Sequence, residues 1–585
     1  MRSFLKFFLA AFTALVVFSL VGFLILLAIA GGLASSEKIT ITSKSVLVID
    51  LSKGFSDKKP DNTIARLSGD HDIFSTSLYD AIRLIQYAKK DSAIKGIYLK
   101  CNGNANGFAA SEEIRNALLD FKGSNKFIIA YGDVISQKAY FVGSTADKIY
   151  CNPKGVLEWK GFASQLFFMK NTLKKLEIEP QIFYAGKFKS ATEPLREEKM
   201  TDANRLQTTV WLGDLYNHFL LSTASKRNID TATLHRYAND FMIKTPADGL
   251  KYKLLDGLKY DDEVKDEIRE KLEIAVDDKI EFVPLGSYGE AVNIGKYSSD
   301  RIAVIYAEGD IVYGKGGQQQ VGSDEYRNLI SKATKDKNIK AIVLRINSPG
   351  GSALASEIIW RETALARKAG KPFVVSMGDV AASGGYYIAC AADSIFAQPN
   401  TITGSIGVFG IVPNMQGFFK NKLGVTFDGV KTAPHADIET ISRPLNESER
   451  RIIQSEIDTI YYDFKTRVSD GRKKDMLYVD SIAQGRVWTG IRAKEVGLVD
   501  RIGGLDDAIA CAARMANLTE YGVREYPEPV SLWDMLKNNY EKTIKMEAIR
   551  EELSLDEYQL YKKLKTIKAM TGTSQARMPF ELIVD

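Results

Sequence analysis

This sequence predicts an α/β protein in which one domain is repeated in tandem behind a single transmembrane helix, and three observations carry that prediction. The chain resembles itself: Gly132-Asp133-Val134 aligns with Gly378-Asp379-Val380, Asp91 with Asp336, and Leu254-Leu255-Asp256 with Leu498-Val499-Asp500. The offset stays near about 245 residues, far beyond the ~20–50-residue period of solenoids, so it marks a domain duplication. Within each copy short Val/Ile runs alternate with amphipathic helix patterns, as at 339–346, 355–368 and 372–377, which points to parallel sheets with helical crossovers. Finally, residues 7–34 carry no charged side chain.

As a helix rising ~1.5 Å per residue, 7–34 would reach roughly 40 Å, more than the ~30 Å hydrocarbon core. A cleavable signal peptide has an apolar region of only ~7–15 residues. Although Ala28-Ile29-Ala30 would suit a peptidase, the apolar run continues past it, and an uncleaved anchor over 1–35 is expected. Arg2 and Lys6 precede the helix and a large domain follows it, which places the N-terminus in the cytoplasm and the body in the periplasm or its equivalent.

The first repeat is read over 45–290, starting at the strand-like run 45–51, and the second over 300–525, starting at 302–306. Charge, Pro284 and glycines interrupt the pattern between them, near 277–299. Leu206, Trp211, Leu215 and Phe219 recur in the second copy as Ile452, Ile457, Ile460 and Phe464, so both sets are expected in helices packed on the core. A tail, 526–585, carries Pro527 and Pro529 and then charged, helix-like text over 532–568.

A chain of 585 residues exceeds one core, and 45% hydrophobic with 26% charged residues excludes disordered and fibrous classes. The net charge of +5 comes without a Lys/Arg stripe interleaved with aromatics, so nucleic acid is not an expected partner. Cys101, Cys151, Cys390 and Cys511 stand singly, away from histidines, and read as buried free thiols.

The copies disagree at one chemically decisive place: Ser383 stands opposite Gln137. Ser383 follows a strand in Ala381-Ala382-Ser383-Gly384-Gly385-Tyr386 and opens a helix, a turn that exposes a hydroxyl and aims backbone N–H groups at one point. A second glycine turn, Asn347-Ser348-Pro349-Gly350-Gly351-Ser352, ends the neighbouring strand, and the N–H groups of Gly351 and Gly384 are candidates to hold an oxyanion. Each such donor is worth roughly 3–4 kcal/mol. The first copy has Asn102-Gly103-Asn104-Ala105-Asn106-Gly107 there, without paired glycines.

A nucleophilic serine needs a base. His71, His218 and His235 lie in loop or helix text of the first copy, only His435 is in a loop of the second, Asp379 has no inferable histidine partner, and no G-x-S-x-G elbow exists. A lysine base must lose about three units from ~10.4, which desolvation supplies, so it should sit among apolar and small residues. Lys189 in Ala185-Gly186-Lys187-Phe188-Lys189-Ser190-Ala191-Thr192-Glu193-Pro194 follows an aromatic strand, and the matching stretch of the second copy, 428–438, has no lysine at the equivalent place. Each copy keeps what the other lacks. Lys187, two residues away, is expected on the same strand face as Lys189 and so to couple with it.

With the 188–194, 347–352 and 377–386 motifs and Thr403-Gly404-Ser405-Ile406-Gly407, the chain after its anchor resembles the signal peptide peptidase A (protease IV) family of the long, double-domain type. The resemblance implies a Clp-protease/crotonase fold in each copy. It implies a Ser-Lys dyad of Ser383 and Lys189, with Ser405 orienting the lysine. It further implies a membrane-anchored homo-oligomer, a tetrameric bowl, in the bacterial inner membrane, cutting released signal peptides without metal or nucleotide cofactor. Two other readings stand beside it: a crotonase-type acyl-transforming enzyme using the same oxyanion donors, and a non-catalytic membrane-anchored scaffold.

Overall fold

The computed structural model describes residues 2–34, 41–58, 76–292, 294–295, 298–317, 319–528 and 572–578. His71 and the helix-like text at 532–568 lie outside them.

Residues Arg2–Ala34 form one helix whose described side chains, including Phe4, Phe8 and Phe12, are exposed. Among the described residues no helix is long and apolar enough to cross a membrane.

The first copy builds a six-stranded parallel sheet in the order Gly257–Leu258, Lys148–Leu157, Phe127–Ile135, Ile94–Lys100, Ser45–Asp50, Phe282–Pro284. The second builds an eight-stranded sheet on the same plan, Val487–Thr489, Ile402–Gly404, Phe373–Ala382, Ile339–Ser348, Arg301–Glu308 and Gly522–Tyr526, with Ser394–Ala397 branching from Phe373–Ala382 to pair with Arg501–Ile502, all parallel except for the first pair. These central strands are continuous apolar runs because both faces are covered. Helices Leu78–Lys90 and Phe108–Lys122 cover one face of the first sheet and Asp261–Leu272 the other. In the second copy Ser323–Lys335 and Ala353–Lys368 answer to the former and Leu505–Met515 to the latter. All four cysteines are buried free thiols.

The duplicated helices are Asp202–Arg227 and Glu447–Arg472. Trp211, Leu215 and Phe219 are buried, as are Ile457 and Phe464, but Leu206 and Ile452 are exposed. Each of these lies near the start of its helix, in the turns before the apolar stripe meets the core.

A third, mixed sheet joins the copies. Its order is Gln320–Gly322, Asp310–Val312, Gly350–Ser352, Gln575–Arg577, Val408–Asn414, Glu179–Ala185. Strand Glu179–Ala185 of the first copy pairs antiparallel with Val408–Asn414 of the second, from Val408 opposite Ala185 to Asn414 opposite Glu179, without a register shift. That ladder sets where everything after Ala185 falls relative to the second copy. The tail, expected to be helical, is extended at Gln575–Arg577, because its backbone pairs with Gly350–Ser352 on one side and with Phe409 on the other.

A buried ion cluster also crosses the join. Arg345 on the second copy's central strand donates from Nε to Asp57 at 2.8 Å and from Nη2 to Glu113 at 2.7 Å, both on the first copy. All three side chains are buried. Asp379 accepts N–H bonds from Ala109 and Ala110 at the start of helix Phe108–Lys122.

Candidate active site

Strand Phe373–Ala382 delivers Ser383 to the start of a short helix, Gly384–Ala389. Ser383 has φ +55° and ψ −112°, a strained backbone for a residue with a Cβ. Its N–H donates to the Gly404 carbonyl at 2.7 Å and its carbonyl accepts from Tyr387 N–H at 2.8 Å, so the turn is held from both sides. The hydroxyl therefore points away from its own helix, and it is fully buried.

Lys189 reaches this hydroxyl from the other copy. The strand carrying it ends at Ala185, and Gly186, at φ +109°, turns the chain sharply; a Cβ there would come within 2.6 Å of the Gln484 backbone. Phe188 N–H donates to the Gln484 carbonyl at 2.7 Å, and a Cβ on Gly485 would meet Lys189 at 2.7 Å. Two glycines, one from each copy, thus let the loops interlock. Below the lysine, Gln207 donates from Nε2 to the Phe188 carbonyl (3.0 Å) and to Ser190 Oγ (2.9 Å). Glu193 accepts from Thr201 and Asn204 at the start of helix Asp202–Arg227.

Lys189 Nζ lies 2.8 Å from Ser383 Oγ, and it donates to the Ser405 carbonyl at 3.0 Å and Ser405 Oγ at 3.1 Å. The lysine is 1% exposed, and its ammonium form is disfavoured by burial, which holds its pKa well below the usual lysine range. Lys187 is exposed, with its amine over the Phe188 ring, and the expected same-face coupling fails because strand alternation stops at Ala185. The three described histidines are engaged elsewhere: His218 with Glu112 at 2.8 Å, His235 against Tyr216, and His435 beside Glu449.

Gly384 follows Ser383 directly, and the turn that carries Gly351 packs against it through Gly350. Gly350 has φ +96°, and a Cβ on it would stand 2.7 Å from Gly384 N, so the two glycine turns abut. A Cβ on Gly351 would come within 2.0 Å of the Ile311 carbonyl. Among the residues that sequence reasoning passed over are Gln207, Gly485 and the Asp57–Arg345–Glu113 cluster; they act across the repeat, where no local pattern marks them.

A strained, buried serine on a strand-to-helix turn, faced by a buried lysine amine whose charged form burial disfavours, is an arrangement suited to a serine peptidase. The family model for peptidase family S49 matches residues 120–275 and again 365–519, once in each copy, and the Clp protease model matches 293–403. Protease 4 of Salmonella typhi is 35% identical over 85% of this chain and 82% of its own, and Protease 4 of Haemophilus influenzae is 35% identical over 84% and 83%. The chloroplastic serine protease SPPA of Arabidopsis thaliana is 32% identical over 74% of this chain and 64% of its own. The chain belongs to peptidase family S49, as a serine protease with duplicated S49 and Clp-like domains.

Proposed function

We propose that this protein is a membrane-anchored endopeptidase that degrades released signal peptides, with Ser383 as nucleophile and Lys189 as general base and then general acid. The observation that carries the reading is the 2.8 Å approach of Lys189 Nζ to Ser383 Oγ inside a buried site. A neutral amine takes the hydroxyl proton as Oγ attacks the scissile carbonyl, and then returns it to the leaving amine. Ser405 fixes the amine through two contacts, at 3.0 and 3.1 Å. The N–H groups of Gly351 and Gly384 stabilise the oxyanion. Water then hydrolyses the acyl-enzyme, with the lysine again as base.

The uncharged apolar run at 7–34, preceded by Arg2 and Lys6, favours an anchor in the bacterial inner membrane with the body on its periplasmic side. An apolar peptide lying at that surface is the substrate class closest to hand. The exposed Leu423, Val425, Phe427 and Val430 beside the cleft-forming sheet favour assembly into a homo-oligomer.

The test is hydrolysis of an apolar signal-like peptide by the full chain in detergent, with Ser383→Ala and Lys189→Ala as comparisons. Loss of cleavage in both, with folding intact, supports the dyad; an active Lys189→Ala moves the base elsewhere.

A further inference from the structure

Lys189 is tied to the second copy by more than its own amine. Gln207, on helix Asp202–Arg227, is buried, and both ends of its amide are engaged. Its Nε2 donates to the Phe188 carbonyl at 3.0 Å and to Ser190 Oγ at 2.9 Å, the residues on either side of Lys189, and lies 3.3 Å from Asn204 Oδ1. Its Oε1 accepts from Val487 N–H of the second copy at 3.3 Å. A backbone carbonyl can only accept and a backbone N–H can only donate, so a carboxamide serves both where a carboxylate or an amine serves one.

From Val487 the bonds lead back to the amine. The peptide group joining Arg486 to Val487 gives its N–H to Gln207, and its carbonyl accepts Ser405 N–H at 2.7 Å. Ser405, held at φ +51°, in turn accepts from Lys189 Nζ on its carbonyl at 3.0 Å and on Oγ at 3.1 Å. A closed circuit of hydrogen bonds thus leaves the backbone beside Lys189 and returns at the tip of the same side chain. Gln207, Val487, Ser405 and Lys189 are all buried, and in such surroundings linked hydrogen bonds are stronger than in water and polarise one another.

The helix that carries Gln207 is itself fixed to the second copy. Two turns further along, Asp214 accepts from Thr489 Oγ1 at 2.9 Å and from Arg492 Nη2 at 2.8 Å, and Trp211 and Leu215 pack with Ile402 and Val487. Aligning Leu206 with Ile452 puts Ile453 at the place of Gln207 in the second copy, where it packs on that copy's core. The amide is present only in the copy that supplies the lysine.

We propose that Gln207 is a positioning residue of the peptidase: it couples the loop carrying Lys189 to Ser405 and so sets the amine against Ser383. The inference rests on the Ser383–Lys189 reading. Without the amide, the Phe188 carbonyl and Val487 N–H lose a buried partner and draw in water. Water beside Lys189 restores solvation of its ammonium form, which burial now disfavours.

The experiment is hydrolysis of an apolar signal-like peptide by the full chain in detergent, followed against pH, with Ser383→Ala as the blank. Gln207→Met keeps length and bulk while removing donor and acceptor. It should lower kcat on the order of 10–100-fold with KM within about twofold, and kcat/KM should begin its rise at higher pH than in wild type. Combined with Ser405→Ala, the loss should be smaller than the product of the two single losses, because both act on one circuit. Should Gln207→Met not fold, Ser190→Ala, which removes one partner of the amide, decides: a fall in kcat with the same displaced pH profile supports the inference, and a wild-type profile overturns it. The inference also falls, with the dyad untouched, if Gln207→Met keeps the wild-type pH profile or if its loss multiplies with that of Ser405→Ala, since a merely structural glutamine would behave so. Should Ser383→Ala hydrolyse the peptide as wild type does, the dyad reading falls, and this inference with it.

Discussion

The two copies share a scaffold down to single hydrogen bonds and differ sharply around one turn. Tyr140 Oη donates to the Leu254 carbonyl and Tyr386 Oη to the Leu498 carbonyl. Asp147 and Asp393 each accept from the first residues of the adjoining strand, and Lys126 and Lys371 each donate to two carbonyls at the end of helices Leu78–Lys90 and Ser323–Lys335 respectively. In the first copy Ser136 caps the helix with ordinary backbone (φ −71°), and Gln137 spends its side chain on Lys160, Gly161 and the Gly161 carbonyl. In the second copy the equivalent of Gln137 is Ser383 at φ +55°. At this turn the strained backbone belongs to the second copy alone. On the proposed mechanism the duplicated domain has divided labour, one copy supplying the strained serine and the other the amine.

The largest expected effect breaks that division directly. Ser383→Ala and Lys189→Ala should each lower kcat on the order of 10⁴–10⁶-fold, and the double variant should lose little more, because the two act as a unit. Gln137→Ser should restore no activity in the first copy, since Lys189 is bonded to Ser383 and Ser405 of the second; activity measured in a Ser383→Ala/Gln137→Ser chain tests this. Next comes the join. Arg345→Met leaves Asp57 and Glu113 buried without their cation, and denaturant unfolding should show a loss of about 3–5 kcal/mol. Peptidase activity should fall with it, because the dyad spans the same join.

The pH dependence sharpens the contrast between an ordinary lysine and Lys189. Its folded-state pKa is lowered by burial, so kcat/KM should rise through that lowered pKa and level off below the usual lysine range. The same shift has a stability consequence of defined sign. A depressed lysine withdraws stability as pH falls below its unfolded value of ~10.4, so at neutral pH the buried amine is a burden. Lys189→Met should therefore be inactive yet melt at a higher temperature than wild type near neutral pH, the difference vanishing at strongly alkaline pH. The smallest effect is expected at Ser405→Ala. It removes one of two contacts to the amine, about 0.5–1.5 kcal/mol, or roughly three- to tenfold in kcat.

Much of this was legible in the chain itself. Buried parallel strands write themselves as Val/Ile runs, the duplication shows as a constant offset, and Ser383 and Lys189 stand out because each is missing from the opposite copy. The face shared by Lys187 and Lys189 was misjudged because Gly186 ends the strand alternation, a matter of backbone dihedral that no side-chain period records. The tail carried no readable purpose, since a strand that binds through its backbone needs no particular sequence.

By itself the sequence determined the duplicated α/β scaffold and which side chains are candidates to carry chemistry, because hydrophobic period and residue type are local properties. Only the tertiary structure decided that an amine and a hydroxyl 194 residues apart meet at 2.8 Å. That meeting depends on one unshifted ladder between Glu179–Ala185 and Val408–Asn414 and on glycines that let two loops interlock. Register between distant strands is fixed by the packing of both copies together, and no stretch of chain holds that information alone.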